Sequence, residues 1–247
     1  MPKRLFLDTQ VTAEFISNAV KQLATTHDSK LSIISWSAGS LATQWTLTFY
    51  PETRARVKRH IALGPSYRGS WMMRPLFWLN MYSPAVVQQL PGSSFLSALQ
   101  RAGGGRAVVP TTSIGSGTDQ IVQPGFFGEG FADSWRLTGP LARNIDLFKV
   151  CASRRKSVWR VPRVISHQAL LWELASHKII FDALANEETF LGTADVVEVG
   201  DCGGGLAPNI EEQSRERQAA IMPELFKYAP TQPVAGWPEV PLRDYAK

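Results

Sequence analysis

Residues 31–51 read LSIISWSAGSLATQWTLTFYP, and within them the hydrophobic period changes at a single residue. Residues 31–35 form a short apolar run with β-branched side chains. Residues 38–49 instead follow a helical pattern up to Pro51, whose ring disfavours helical geometry in the residue before it. A strand that passes into a helix through one residue forces that residue, Ser37, into a sharp turn. Such a turn lifts the hydroxyl above the end of the sheet, and it needs small residues two before and two after so that strand and helix can pack. Ser35 and Gly39 meet that need. The helix that begins at Ala38 also directs its free amides and positive dipole end toward Ser37, which suits a developing oxyanion. The plain alternative is a serine in an ordinary turn, because small-x-Ser-x-Gly recurs by chance and the first position here is Ser where Gly is usual.

The rest of the chain alternates in the same manner. Residues 9–24 carry Val11, Phe15, Ala19 and then Ile16, Val20, Leu23 at helical spacing, with Asp8 or Thr9 available as N-cap. Residues 57–64, 106–112 and 161–166 read as strands, and 169–184 as a helix. Strands alternating with helices predict an α/β fold, a mostly parallel sheet with helices on both faces. A length of 247 residues, 44% of them apolar, suits one such domain with a sizeable core. Two segments stand apart. Residues 70–102, rich in Met, Trp, Phe and Leu, read as an apolar lid-like insertion, and 201–247, where Gly and Pro gather around a helical stretch near 211–220, as an irregular wrapping tail.

Charge and cysteine content narrow the function. The net charge of +5 would suit an acidic partner, but the basic residues are scattered and the one dense cluster, ASRRKSVWR at 152–160, is short. It reads as a solvated loop, so no nucleic-acid partner is expected. The opening MPKRLFLDTQ has no long apolar stretch behind its basic residues and does not read as a secretory signal; no later run is long enough to span a bilayer. Cys151 and Cys202 lack CxxC spacing, which argues against a metal or redox motif and leaves one disulfide or two free thiols.

A serine hydroxyl is a poor nucleophile without a base, and an elbow serine calls for an acid and then a histidine later in the chain. Of the four histidines, His27 and His60 precede the plausible acids, and His60 sits inside a strand pattern as a packed or edge residue. His177 falls too far along its predicted helix to meet the end of the sheet. His167 directly follows VPRVIS, which places it at the carboxyl end of a predicted strand, where sites of this kind lie. For the acid, AVVPTTSIGSGTDQIVQP reads as a strand ending in a Gly- and Ser-rich loop that carries Asp119. The bland reading of Asp119 is a surface turn. Glu129, Asp133 and Asp146 lie in or beyond a long loop and are weaker candidates.

These segments resemble the fungal lipase B family of the α/β-hydrolase superfamily. FLDTQVTAEFISNAV, WSAGSLATQWTLTFYP, PTTSIGSGTDQIVQP and VISHQALL look like that family's segments in the same order, from about Leu5 to beyond Cys202. By that resemblance Ser37 is the nucleophile, Asp119 the acid, His167 the base, and Cys151 and Cys202 a disulfide pair. Ser35 stands where the family has Thr. Ala38 stands in place of a Gln whose backbone amide contributes to the oxyanion hole, and the amide survives the change. The family also begins with a strand and a PGTG-like loop that supplies further oxyanion donors, and this chain starts after them. The resemblance therefore implies a sheet whose strand at 31–35 has lost a neighbour, with poor solubility and little activity expected of these 247 residues alone.

The resulting expectation is a serine carboxylic ester hydrolase of lipase type, acting on acyl esters through an acyl-enzyme, with no metal or organic cofactor. Its partners would be an ester or lipid substrate and, without stable insertion, a lipid surface in transient contact. The resemblance and the cysteine pair imply an extracellular setting. Trp78 and Leu79 in the insertion are the expected walls of the acyl pocket. The rival readings are a non-catalytic or fragmentary hydrolase-fold protein that binds apolar ligands, and an acyltransferase using the same three residues.

Overall fold

The computed structural model describes residues 7–74, 83–125, 133–154, 164–208, 210–217 and 239–247. Trp78, Leu79 and Glu129 lie outside the described residues. The chain begins with helix α1 (Thr9–Thr26), strand β1 (Leu31–Trp36), helix α2 (Ala38–Phe49) and strand β2 (Val57–Leu63), followed by strands β3 (Thr111–Gly115) and β4 (Ala142–Asp146). All pairings are parallel and the spatial order is β1-β2-β3-β4. The carboxyl ends of the four strands therefore share one edge of the sheet. This is the α/β-hydrolase type of architecture anticipated above.

Helices cover both faces. On one face, Ile61, Leu63, Ile114 and Ile145 pack with Leu170, Ile179 and Ala183, the last two from the helix Leu174–Ala185. On the other, α1 and α2 lie together, and Trp45 of α2 stacks on Phe95 at a centroid distance of 4.0 Å. The side of α1 that is buried is not its bulkiest. Ala13, Ser17, Val20 and Ala24 face inward, and the Ser17 hydroxyl is hydrogen-bonded to that of Thr53 at 2.7 Å. Small residues at helical spacing let the helices approach closely, which leaves Ile16, Ala19 and Leu23 beside β1.

There the sheet is open. Among the described residues β1 pairs with β2 alone, and its other side borders a groove of about 470 Å³ walled by Ile16, Leu23 and Ile34.

Several expectations about element boundaries need correction. The strand expected at 106–112 starts later, at Thr111, because Pro110 has no amide to give the ladder and only its carbonyl takes part, accepting from the His60 amide. Residues 164–166, expected to end a strand, are not one: Ile165 is bound through both its amide and its carbonyl by the Thr118 hydroxyl. The helix expected at 169–184 is broken. A short 3-10 turn, Ala169–Leu171, gives way to extended chain at Glu173, which bridges antiparallel to Leu206 before the helix starts at Leu174. Strand β4 was not anticipated.

In the described part of the apolar insertion, Phe95, Leu96 and Leu99 of the helix Ser94–Arg101 are core residues that pack with Trp45. The end of the chain straps this region down. The Glu239 carboxylate accepts from the amides of Ser94 and Phe95, and the Tyr245 hydroxyl from the Trp45 indole. Cys151 and Cys202 form a disulfide across 51 residues, a loop closure that contributes about 4 kcal/mol in the chain-entropy model.

An unpaired parallel edge beside an apolar groove favours self-association. Ile34 lines this groove and is half exposed. Ile34→Lys should raise the monomer fraction in size-exclusion chromatography without lowering the thermal midpoint by more than a few degrees; an unchanged distribution of aggregate and monomer would show that the edge is not the cause.

Candidate active site

The turn between β1 and α2 contains a single residue, Ser37, with φ of 55° and ψ of −130°. A positive φ is costly for a residue with a side chain, by about 1–2 kcal/mol. It is held by bonds on both sides: the Ser37 amide donates to Leu63 O of the next strand at 2.8 Å, and the Ser37 carbonyl accepts from the Ser40 amide at 2.9 Å. The side chain makes no capping bond to its own helix, so the hydroxyl is free to point elsewhere. Its partner is the Nε2 atom of His167, 2.8 Å away. The amides of Ala38 and Gly39 lie in the first turn of α2 and precede any carbonyl of that helix that could accept from them.

His167 comes from a loop, not from a strand end. Its amide donates to the Gln120 side chain at 3.0 Å and its carbonyl accepts from the Trp36 indole at 3.2 Å. The Trp36 ring lies against the imidazole at a centroid distance of 5.0 Å. The other ring nitrogen, Nδ1, is 2.6 Å from Asp119 Oδ2. Asp119 sits on the loop after β3, where its second oxygen accepts from the amides of Ile121 and Val122 at 2.7 and 2.8 Å. Those two bonds fix the carboxylate plane and leave Oδ2 facing the imidazole. Both His167 and Asp119 are almost wholly buried.

The structure thus brings Ser37, His167 and Asp119 into one hydrogen-bonded chain at the carboxyl edge of the sheet. In such a chain a carboxylate holds the imidazole in the tautomer whose Nε2 accepts the hydroxyl proton. The alternative acids lie elsewhere. Asp133 pairs with Arg136 at 2.5 Å, and Asp146 accepts from the amides of Gly117 and Lys149. His177 bonds to Leu171 O, and His60 is fully buried inside β2. Among the described residues no group of three or more His, Cys, Asp or Glu is placed to hold a metal ion, and no helix is long and apolar enough to cross a membrane.

Sequence reasoning passed over Gly64. It follows β2 with φ of +52°, and a Cβ placed there would come within 2.9 Å of the His167 ring. The absent side chain is what makes room for the imidazole; the only signal in the sequence is a glycine at the end of a strand, which has many other causes. Gly64→Ala should therefore destabilise the fold by about 1–2 kcal/mol in urea denaturation, from the left-handed backbone alone, and move the His167 imidazole resonances in NMR spectra. Resonances that stay in place would mean the ring does not depend on this gap.

Comparison with known proteins bears on what this geometry belongs to. No family model matches the chain. Lipase B of Pseudozyma antarctica is 33% identical over 222 residues, which is 90% of this chain and 61% of that protein. The crystal structure of Aspergillus fumigatus lipase B superposes with a TM-score of 0.83 at 26% identity, covering 100% of this chain and 58% of that one. The chain thus spans about three-fifths of the length of each of these relatives. In sequence and in fold the chain is similar to lipase B over that length, and its fold is of the α/β-hydrolase type.

Proposed function

We propose that this chain carries the catalytic residues of a serine carboxylic ester hydrolase of lipase type. The observation that carries the reading is the continuous chain from Ser37 Oγ through His167 to Asp119, with bonds of 2.8 and 2.6 Å. In this reading Ser37 Oγ attacks the ester carbonyl carbon while His167 Nε2 takes its proton. The carbonyl oxygen becomes an oxyanion, and the backbone amide of Ala38 donates to it. Collapse breaks the bond to the leaving alkoxide, which departs as an alcohol with the proton from His167. Water then attacks the acyl-enzyme, His167 takes a proton from it, and the carboxylic acid leaves as Ser37 Oγ recovers that proton. Asp119, bonded to Nδ1, stabilises the imidazolium that forms.

The kind of ester follows from the surroundings. Trp71 and Met72 are about half exposed, and Trp71 is tied by its amide to Gln123 on the loop that carries Asp119. Val164, more exposed still, opens the segment that leads into His167. Large apolar side chains left in water on both loops favour an apolar acyl substrate presented at a lipid surface. The disulfide fits an oxidising, extracellular compartment. The Ala38 amide matters in this reading because losing a single oxyanion donor typically costs about a hundredfold to a thousandfold in rate.

On a short-chain p-nitrophenyl ester, Ser37→Ala and His167→Ala should each abolish nearly all turnover, and the double variant should be no slower than either, since such residues act as a unit. Either variant retaining most of the rate would reject the assignment. Release of ester instead of acid when a simple alcohol is present beside water would mark an acyltransferase using the same residues.

A further inference from the structure

Behind the Ser37 turn lies a second hydroxyl–imidazole chain that ester hydrolysis does not use. Ser35, two residues before Ser37, has its Oγ 2.7 Å from His60 Nε2 on β2 and donates to Ser40 Oγ, on the first turn of α2, at 2.8 Å. Ser40 and His60 are both fully buried. A hydroxyl has one proton. Because that of Ser35 goes to Ser40, the bond to His60 must be donated by the imidazole, so the ring carries its proton on Nε2. The far side of the ring agrees. His60 Nδ1 is buried with no hydrogen-bond partner among the described residues, and a bare lone pair there is tolerated more readily than an unpaired N–H. Burial also pushes the His60 pKa down to about 3, which keeps the ring neutral in ordinary buffers.

The polar chain therefore runs His60 Nε2–H to Ser35 to Ser40, and it spans the junction that the Ser37 turn has to hold. His60 belongs to β2, Ser35 to β1 before the turn, and Ser40 to α2 after it. Ser37 gains backbone energy if its positive φ relaxes, and relaxation swings Oγ away from His167. A bond between the two flanks, anchored to the neighbouring strand, opposes that movement. We propose that Ser35, Ser40 and His60 are positioning residues that lock the strand–helix junction and so keep the Ser37 hydroxyl on His167. A purely structural role, satisfying buried polar groups, would change stability and leave the reactivity of Ser37 alone.

This inference rests on the ester-hydrolase reading for its kinetic arm and on spectroscopy for the rest. Ser35→Ala, Ser35→Thr and His60→Leu, each checked for folding by urea denaturation, are treated with a fluorophosphonate, which bonds to an activated serine with loss of fluoride. The same proteins are assayed on a p-nitrophenyl ester. Ser35→Ala should lower both the labelling rate of Ser37 and kcat by about tenfold to a hundredfold, the scale of a small misplacement, with KM little changed. Ser35→Thr keeps the hydroxyl and should recover most of the loss. The double variant Ser35→Ala/His60→Leu should be no slower than the slower single variant. Labelling that is unchanged in folded Ser35→Ala, or equally slow in Ser35→Thr, would overturn the proposal.

The second arm uses nitrogen NMR of the wild-type ring and of the Ser37 amide. It should find His60 protonated on Nε2, and a Ser37 amide resonance that shifts in Ser35→Ala and returns in Ser35→Thr. Protonation on Nδ1, or a Ser37 amide indifferent to Ser35, would equally overturn the proposal. If wild-type Ser37 takes no label at all, it is the hydrolase reading that fails, and the spectroscopic arm decides the positioning role by itself.

Discussion

The hydrogen bond from the Ser37 amide to Leu63 O is small, but the geometry of the site depends on it. It ties a residue that has already left β1 to the last residue of β2, so the chain must turn at Ser37 itself and not one residue later. The turn puts φ at 55°, and the next residue opens α2, so the first turn of that helix follows directly on the side chain displayed at the turn. The backbone cost of about 1–2 kcal/mol is modest against the several bonds that hold it. It is also specific, because only this backbone geometry aims Oγ at His167. The parallel sheet does the remainder. With all four strands running the same way, the loop after β3 brings Asp119, and Gly64 after β2 clears space, at the same edge.

The legible parts of the sequence were those in which one residue carries two signals. Ser37 was visible because the period changes from strand to helix around it, and the bounds of α2 follow directly from Ser37 at one end and Pro51 beyond the other. The strand that carries Asp119 was misplaced for a physical reason. Its working residues, Thr111, Thr112 and Ser113, are polar but buried, and their hydroxyls bond to Val109 O, Gly192 N and Trp135 O. A reading based on apolar runs slid back onto Val108 and Val109. Strand β4, Ala142–Asp146, offers little apolar pattern beyond Ile145 and lies at the other edge of the sheet formed by the described residues. The approach to His167 read as a strand because VPRVIS is β-branched, but in the structure Ile165 is paired to a threonine side chain. His167 was thus singled out partly through a strand end that is absent among the described residues.

The two edges of the sheet meet different circumstances. The outer side of β1 faces a groove lined by the larger apolar residues of α1, while the smaller ones take the contact with α2. This division gives α1 two apolar faces, only one of which is covered among the described residues. The groove reaches the Ser37 turn, since Ser35 and Trp36, the two residues before it, line the groove. The strand that borders this groove is the one from which Ser37 departs.

The central claim is that Ser37, and no other hydroxyl, is made reactive by the turn it occupies. The most direct measurement is mass spectrometry of the intact chain, then of its peptides, after brief exposure to an activated ester followed by acid quench. The account predicts a single acyl adduct on the peptide that contains Ser37, lost on reduction of the sheet-end geometry by Gly64→Ala and absent in His167→Ala. An adduct spread over several serines and lysines, or one on Ser37 that persists without His167, would contradict it.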